Sequence, residues 1–579
     1  MRVFGAGARA GLTSLVLWLA PAVALAQAPP GPIYSDRDLV HPVYGRSGMV
    51  ATQEASATRI GLEVLQNGGN AVDAAATVAF ALAVTLPSAG NLGGGGFMVV
   101  HDAKSGETVA IDYREKAGSS AFRDMFLDDE GEADPEKSRF GGLAIGVPGT
   151  VAGIALALER YGTIRLAEAL EPAIELAEGG IAVTPDLAAS LAGAKERLQK
   201  WPSSAGIFYK DGGALYEPGE ILVQRDLAWS LERIAEQGPG AFYAGPIGER
   251  IVAEVARAGG HLTIEDFRSY QAVVREPVRG SYRDYEIASM PPPSSGGVHI
   301  VQILNVLEGF PIGFLGTGGA ETIHLMAEAM KLAYADRSEY LGDPDFVDVP
   351  VTALTSRAYA AHLRGLINRY RARPATEIRP GDLAPYESPE TTHFSIVDAA
   401  GNAVANTYTI NFGYGTGLVA EGTGILLNNE LDDFSAKPGV PNAYGLIGGY
   451  ANAVAPGKRP LSSMSPTIVL KDGRPFLVTG SPGGSRIITT TLQIVMNVID
   501  HGMNIAEATY APRVHHQWLP DELRIEEGLS PDTIRLLEEK GHHVMVGDAM
   551  GSTQSIMVTE DGLFGSSGPR RPGALTLGY

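Results

Sequence analysis

The run Thr391-Thr392-His393-Phe394-Ser395-Ile396-Val397-Asp398 reads as a β-strand that opens on two hydroxyls, behind a stretch from Arg371 to Glu390 rich in proline and charge. A threonine hydroxyl is a poor nucleophile at neutral pH. Were the chain cut between Glu390 and Thr391, the new α-amino group would titrate near ~7.7 to 8.0 and could take the hydroxyl proton directly or through a water. Self-cleavage at this bond is therefore the first chemical expectation. A three-residue loop, Ala399-Ala400-Gly401, turns the strand into a hairpin and sets Thr391 opposite Thr409, with Thr407, Thr409 and Asn411 on one face. Two facts stand against this reading: threonine favours strands for packing reasons alone, and a two-residue loop would shift the register by one. His393 is read as a packing residue, turned away from the threonine it adjoins.

A second candidate is Gly480-Ser481-Pro482-Gly483-Gly484-Ser485-Arg486, between a strand at Pro475 to Thr479 and a helix from about Ile487 to Ile499. Two glycines before a helix N-terminus expose backbone N–H groups suited to a phosphate or to the oxyanion of a tetrahedral intermediate; an ordinary tight turn has the same composition. No Gly-Lys-Ser/Thr follows, and Gly93 to Gly96 lacks dinucleotide-binding spacing. Between the candidates lie Asn428, Asn429, Glu430, Asp432 and Asp433, a Gly/Pro/Asn-rich stretch from Pro438 to Pro460, and Leu461-Ser462-Ser463-Met464. Such a long loop reads as a lid or as a solvated surface segment. The acidic group could hold an ammonium and the paired serines a carboxylate. No metal site is expected: His515-His516 and His542-His543 are adjacent pairs whose side chains diverge, and cysteine is absent.

The elements that must position these residues follow from periodicity. Ala55 to Gln66 and Ala71 to Val84 read as helices; Gly93 to Val100 and Thr108 to Tyr113 read as a strand pair; helical patterns dominate from Gly149 to about Asp336. After Thr391 come strands at Thr391 to Asp398, Ala403 to Ile410, Gly424 to Leu427, Ser465 to Leu470, Pro475 to Thr479 and Ser555 to Val558. Helices early and strands late suggest a layered α+β or α/β sandwich shared by both halves, with Arg371 to Glu390 as an exposed linker.

Composition narrows the class. Arg2 and Arg9 flank a basic start, Gly11 to Leu25 is apolar, and Ala24-Leu25-Ala26 is a small-x-small site, which together read as a secretory signal peptide over 1–26. The apolar run is too short to span a bilayer, so a soluble periplasmic or extracellular protein is expected, with no membrane span. With 0 Cys, stability rests on a packed core. A net charge of −21 disfavours nucleic acid or an anionic membrane as partner.

Taken together, these residues resemble the γ-glutamyltransferase (γ-glutamyltranspeptidase) family of N-terminal-nucleophile hydrolases. The resemblance runs from about Gly45 to Tyr579 and rests on Pro87 to Gly95, Asp112-Tyr113-Arg114-Glu115, Pro291 to Gly297, Tyr334-Ala335-Asp336-Arg337, Thr391-Thr392-His393, Leu431-Asp432-Asp433-Phe434, Pro460 to Pro466 and Gly480 to Arg486. It implies a four-layered αββα sandwich and a proenzyme cut between Glu390 and Thr391 into a large subunit, 27–390, and a small one, 391–579, that stay together as a heterodimer. It implies Thr391 as nucleophile, Thr409 orienting its hydroxyl, and Gly483 and Gly484 as the oxyanion hole. Arg114, Ser462 and Ser463 would grip the α-carboxylate of a γ-glutamyl group, and Asn411, Glu430 and Asp433 its α-ammonium. Position 430 is Gln in some relatives. Pro438 to Gly449, with Tyr444, matches a lid that some members carry, and Arg570 an arginine associated with the subunit contact or the site. The implied reaction needs no cofactor and moves a γ-glutamyl group from glutathione or a related amide to water or to an amino acid or peptide. The competing readings are a glutaryl or cephalosporin acylase on the same scaffold, and a non-catalytic exported protein that binds an acidic ligand.

Overall fold

The computed structural model describes residues 38–379, 391–437 and 449–579; the expected signal peptide, Glu390 and Tyr444 lie outside the described residues. Two seven-stranded antiparallel sheets lie face to face. The first runs Leu575–Gly578, Met49–Thr52, Thr392–Val397, Ala403–Thr409, Gly95–Asp102, Glu107–Tyr113, Val273–Arg275. The second runs Val43–Gly45, Gly562–Ser567, Gln554–Thr559, Arg474–Thr479, Thr467–Lys471, Tyr285–Ser289, Val278–Tyr282.

Strand alternation sorts the side chains into three apolar layers. Met49, Ala51, Val99, Val397, Ala403 and Ala405 from the first sheet meet Ile468, Leu470, Val478, Ile556 and Leu563 from the second. The intervening residues of the first sheet, among them Phe394, Ile396, Val404 and Tyr408, pack outward against helices Ala55–Gln66, Ala71–Thr85 and Thr150–Tyr161. Val469, Leu477, Met557 and Phe564 of the second pack against helices Gly296–Leu307, Ala320–Tyr340 and Arg486–Ile499. The result is an αββα sandwich of the N-terminal-nucleophile hydrolase type. Ala71–Thr85 is buried all round, which its alanines allow by admitting neighbouring backbones closely, and Asn70 with Asp73 closes its start as a capping box. No helix among the described residues is long and apolar enough to cross a membrane.

The hairpin that opens at Thr391 has the register expected from sequence: Thr392 pairs with Tyr408 and Val397 with Ala403, so the next step along places Thr391 opposite Thr409. Asp398 sets that register. Its Oδ1 accepts from Ala400 N (2.9 Å) and Asn402 N (3.0 Å), its Oδ2 accepts from Asn402 Nδ2 (2.7 Å) and from Ala71 N at the start of the buried helix (2.9 Å), and Gly401 takes φ +89°.

Two expectations are corrected. The helix-dominated stretch before Asp336 contains the edge hairpin Val278–Tyr282 and Tyr285–Ser289; Arg279, Gly280 and Ser281 on its outer strand carry little apolar alternation. Both sheets mix early and late strands, so the sandwich is shared by both halves as expected. The expected exposed linker is docked as far as Arg379: Ala372, Ala375 and Ile378 are buried, Ala375 N donates to Asp521 Oδ2 (2.8 Å) and Ala375 O accepts from Trp518 Nε1 (2.9 Å); residues 380–390 lie outside the described residues.

Replacing Asp398 with Ala orphans the amide donors that fix the hairpin. We expect Asp398→Ala to lose about 1–3 kcal/mol of stability, read as a lower urea midpoint at unchanged slope.

Candidate active site

The register places the site. Gly95 pairs with Thr409, and Gly96 with Tyr113, so the start of the Thr391 strand, the end of the Thr409 strand and the end of the Tyr113 strand all fall at one end of the first sheet. There a pocket of about 220 Å³ is lined by Arg114, Thr391, Thr409, Asn411, Glu430, Asp433, Ser462, Ser463, Met464 and Ile487. Eight of the residues named from sequence thus converge. Thr409 Oγ1 accepts from Asn411 N (2.8 Å), and Asn411, at φ +70°, turns its Nδ2 to Asn429 O (2.9 Å).

The acidic group is a short 3₁₀ turn, Glu430–Asp433, hung from Asn428. The Asn428 side chain accepts from Gly146 N and Glu430 N (both 3.0 Å) and donates to Gly93 O (2.8 Å) and Gly146 O (2.9 Å). From below, Asn452 Nδ2 donates to Asp433 O (2.7 Å) while Asn452 Oδ1 accepts from Leu461 N (3.0 Å), which joins the acidic turn to the serine pair. Ser462 N donates to Pro293 O (2.8 Å), and Ser462 Oγ accepts from Met464 N (3.1 Å).

Arg114 stands at the centre, fully buried. Its guanidinium is ion-paired with both Glu430 and Asp433, lies 3.8 Å from a Glu115 oxygen, and donates to Pro460 O (3.1 Å) and Leu461 O (3.2 Å). Burial disfavours its charge, but Glu430, Asp433 and Glu115 more than offset this and hold its pKa above the ordinary value. Burial pushes the Glu430 carboxyl well up, with Arg114 opposing and Glu115 and Asp433 adding to the rise. Burial also raises Asp433, and raises Glu115 to about 7 against the pull of Arg114. Asp432 is raised to about 6 by burial, opposed by Ser138 and Arg139, and does not line the pocket. Three acceptors of the lining, Asn411 Oδ1, Glu430 Oε2 and Asp433 Oδ1, are buried without a hydrogen-bond partner among the described residues.

The glycine loop meets the pocket through Ile487. Gly483 and Gly484 have φ +134° and +60°; their carbonyls accept from Arg486 N (3.1 Å) and Ile487 N (3.0 Å), opening helix Arg486–Ile499. Neither glycine N–H finds an acceptor among the described residues, and neither glycine is part of the pocket lining itself. A Cβ on Gly480 would sit 2.4 Å from His393 Cε1, so only glycine lets this loop lie on the strand that opens at Thr391.

His393 needs correction. It stands two residues from Thr391 and therefore faces the same way, into the space between the sheets. Its Nδ1 bonds Thr407 Oγ1 (2.8 Å) and its Nε2 bonds Ser395 Oγ (3.1 Å), and burial lowers its pKa to about 3, so it is a neutral packing group as expected, but on the other face. Arg570 is not at the pocket: it holds Glu526 (Nε to Oε1, 2.7 Å), Thr509 O (2.9 Å) and Ala511 O (3.0 Å). His542, expected only as half of a divergent pair, meets His324 (2.8 Å) and Glu328 from a distant helix, with ligand atoms within 4.8 Å of one another. Lys331 is ion-paired with Glu328 there. In the sequence Glu115 and Arg337 stand only as parts of motifs, without roles; the structure places Glu115 beside Arg114 and Arg337 against Ser463. Burial of a charged residue, the signal that marks both, is a property of the fold.

An αββα sandwich with Thr391 at the opening of a central strand and in the lining of the pocket is the fold of the N-terminal-nucleophile hydrolases. Residues 57–577 match the family model of gamma-glutamyltranspeptidase, and the chain belongs to that family of enzymes. It is 59% identical over 559 residues to the glutathione hydrolase proenzyme of Escherichia coli strain K12, covering 96% of each chain. Among solved structures it superposes on the cephalosporin acylase from Bacillus halodurans with a TM-score of 0.83 at 29% identity, covering 96% of this chain and 98% of that one. It also matches the gamma-glutamyltranspeptidase of Helicobacter pylori with a TM-score of 0.55 at 49% identity, covering 56% of this chain and 93% of that one.

The carboxylates around Arg114 titrate as one unit whose highest steps are raised by burial. An ammonium ligand favours their charged form, so its binding tightens as pH rises through about 7, the value to which Glu115 is raised, by up to about tenfold per pH unit for one linked proton. We expect KM for a donor bearing an α-ammonium to fall between pH 6 and 8, and Glu115→Gln to flatten that profile.

Proposed function

We propose that this chain is an exported proenzyme that cuts itself between Glu390 and Thr391 and then cleaves γ-glutamyl amides, glutathione among them, through a γ-glutamyl ester on Thr391. The single observation that carries the substrate assignment is the set of three unpartnered acceptors, Asn411 Oδ1, Glu430 Oε2 and Asp433 Oδ1, in a pocket that also holds Arg114 and the nucleophile. An ammonium offers three donors and no acceptor, which matches that set. Its neighbouring α-carboxylate would meet Arg114, Ser462 and Ser463.

In the precursor, Thr391 Oγ1 attacks the carbonyl carbon of Glu390. The C–N bond breaks as the acyl group moves to oxygen, and water hydrolyses the ester, leaving Glu390 as a carboxylate and Thr391 with a free amine. That amine then takes the hydroxyl proton as Oγ1 attacks the γ-carbonyl of a bound donor. Gly483 and Gly484 N–H groups stabilise the oxyanion. Collapse expels the amine of the leaving group, which carries away the proton held on Thr391. Water or an acceptor amine next attacks the ester, its proton passing to the Thr391 amine and on to the departing Oγ1. Thr409 Oγ1, fixed by Asn411 N, holds the nucleophile's orientation in each round. Residues 27–390 and 391–579 would stay together as large and small subunits, since both sheets draw strands from each. The amino-terminal signal supports a periplasmic location.

The superposition on a cephalosporin acylase favours one rival, a glutaryl-type acylase on the same scaffold. A glutaryl group has no ammonium and would leave the acidic acceptors unpaired, which is costly in a buried site.

Thr391→Ala should run as one uncut band on a denaturing gel and release no chromogenic amine from γ-glutamyl-p-nitroanilide; a cut, active variant would remove the proposal. For the cleaved wild type, kcat/KM should favour the γ-glutamyl over the glutaryl anilide by on the order of 10⁴, and a preference for glutaryl would hand the assignment to the rival.

A further inference from the structure

Behind the serine pair lies a second buried guanidinium. Arg337, on helix Ala320–Tyr340, is 1% exposed; its Nε donates to Ser295 Oγ (2.7 Å) and its Nη2 to Ser463 Oγ (3.3 Å). Ser295 in turn donates from Oγ to Ser462 O (2.8 Å) and from its backbone N to the same oxygen (2.7 Å). One side chain therefore fixes the backbone of Ser462 and the hydroxyl of Ser463, two residues of the pocket lining.

The direction of these bonds matters. A guanidinium only donates, so it takes a lone pair of Ser463 Oγ and leaves that hydroxyl's own proton to point elsewhere. A hydroxyl whose oxygen accepts from a cation is also the stronger donor. The charge matters as well: Arg337 sets a guanidinium behind the serines, where it acts on Asp433 too.

We propose that Arg337 is a positioning residue for carboxylate recognition, which turns Ser463 into an oriented donor toward the α-carboxylate of the γ-glutamyl donor and supplies the positive field behind it. This deepens the function proposed above and rests on it.

The test uses the cleaved enzyme and the variants Arg337→Met and Arg337→Lys. Arg337→Met should raise KM for γ-glutamyl-p-nitroanilide about 10- to 100-fold, the worth of one charge-assisted hydrogen bond, with kcat changed less than about threefold. Competitive inhibition separates positioning from scaffolding. The Ki of L-glutamate should rise by the same factor, whereas that of 4-aminobutanoate, which lacks the α-carboxylate, should stay within about twofold. Arg337→Lys keeps the charge without the planar fork and should fall between. If Arg337→Met is not cleaved, the same ratio of inhibition constants is read on Arg337→Lys. An equal loss toward both inhibitors, or an unchanged KM, overturns the proposal. Absence of γ-glutamyl turnover in the wild type would instead overturn the function it rests on.

Discussion

The structure turns on a buried guanidinium held among carboxylates. Arg114 has no contact with solvent, and an isolated charge at that depth would be prohibitively costly. It is tolerable only while Glu430, Asp433 and the carbonyls of Pro460 and Leu461 surround it. Those partners come from two stretches far from Arg114 in sequence, so satisfying one side chain fixes the end of a first-sheet strand, the acidic 3₁₀ turn and the approach to the serine pair together. The same arrangement leaves acceptor oxygens unmatched, so the groups that organise the pocket also give it an appetite for donors.

The sandwich supplies the second constraint. Side-chain alternation sends residues 393, 395 and 397 into the space between the sheets, and Thr391 continues that row to the end where the glycine loop of the other sheet arrives. His393, held neutral between Thr407, Ser395 and the bare face of Gly480, spaces the Thr391 strand from that loop. Thr391 and the glycine loop are thus placed by packing between layers, which is stiffer than any loop of its own could be.

What could be read in advance was what short-range physics sets. The helix Ala55–Gln66 has the expected bounds because Glu54 caps its first turn and Asn67 ends it. The hairpin register followed from a three-residue loop closed by Gly401, and the Gly480 to Arg486 loop from glycines before a helical period. The edge strands Val278–Tyr282 and Tyr285–Ser289 were not legible, since their sequence lacks apolar alternation and they are strands because a sheet edge accepts them. The docking of Ala375 under Trp518 and the meeting of His324 with His542 depend on partners more than 140 residues away, and the hold of Arg337 on Ser463 spans 126 residues, separations that no local sequence pattern covers.

By itself the sequence determined the local grammar: that a strand would open at Thr391 and that a glycine loop would precede a helix near Ile487, while the roles of nucleophile, oxyanion donor, cationic fork and ammonium acceptor were assigned only through the family resemblance. Turn chemistry and periodicity reach only a few residues along the chain, and those elements needed no more. Only the tertiary structure decided that Arg114 is shared with the acids, that Glu115 is a carboxyl raised to about 7, and that Arg337 stands behind Ser463. Burial and like-charge proximity arise when distant segments are packed into one low-dielectric volume, and no window of sequence contains that volume.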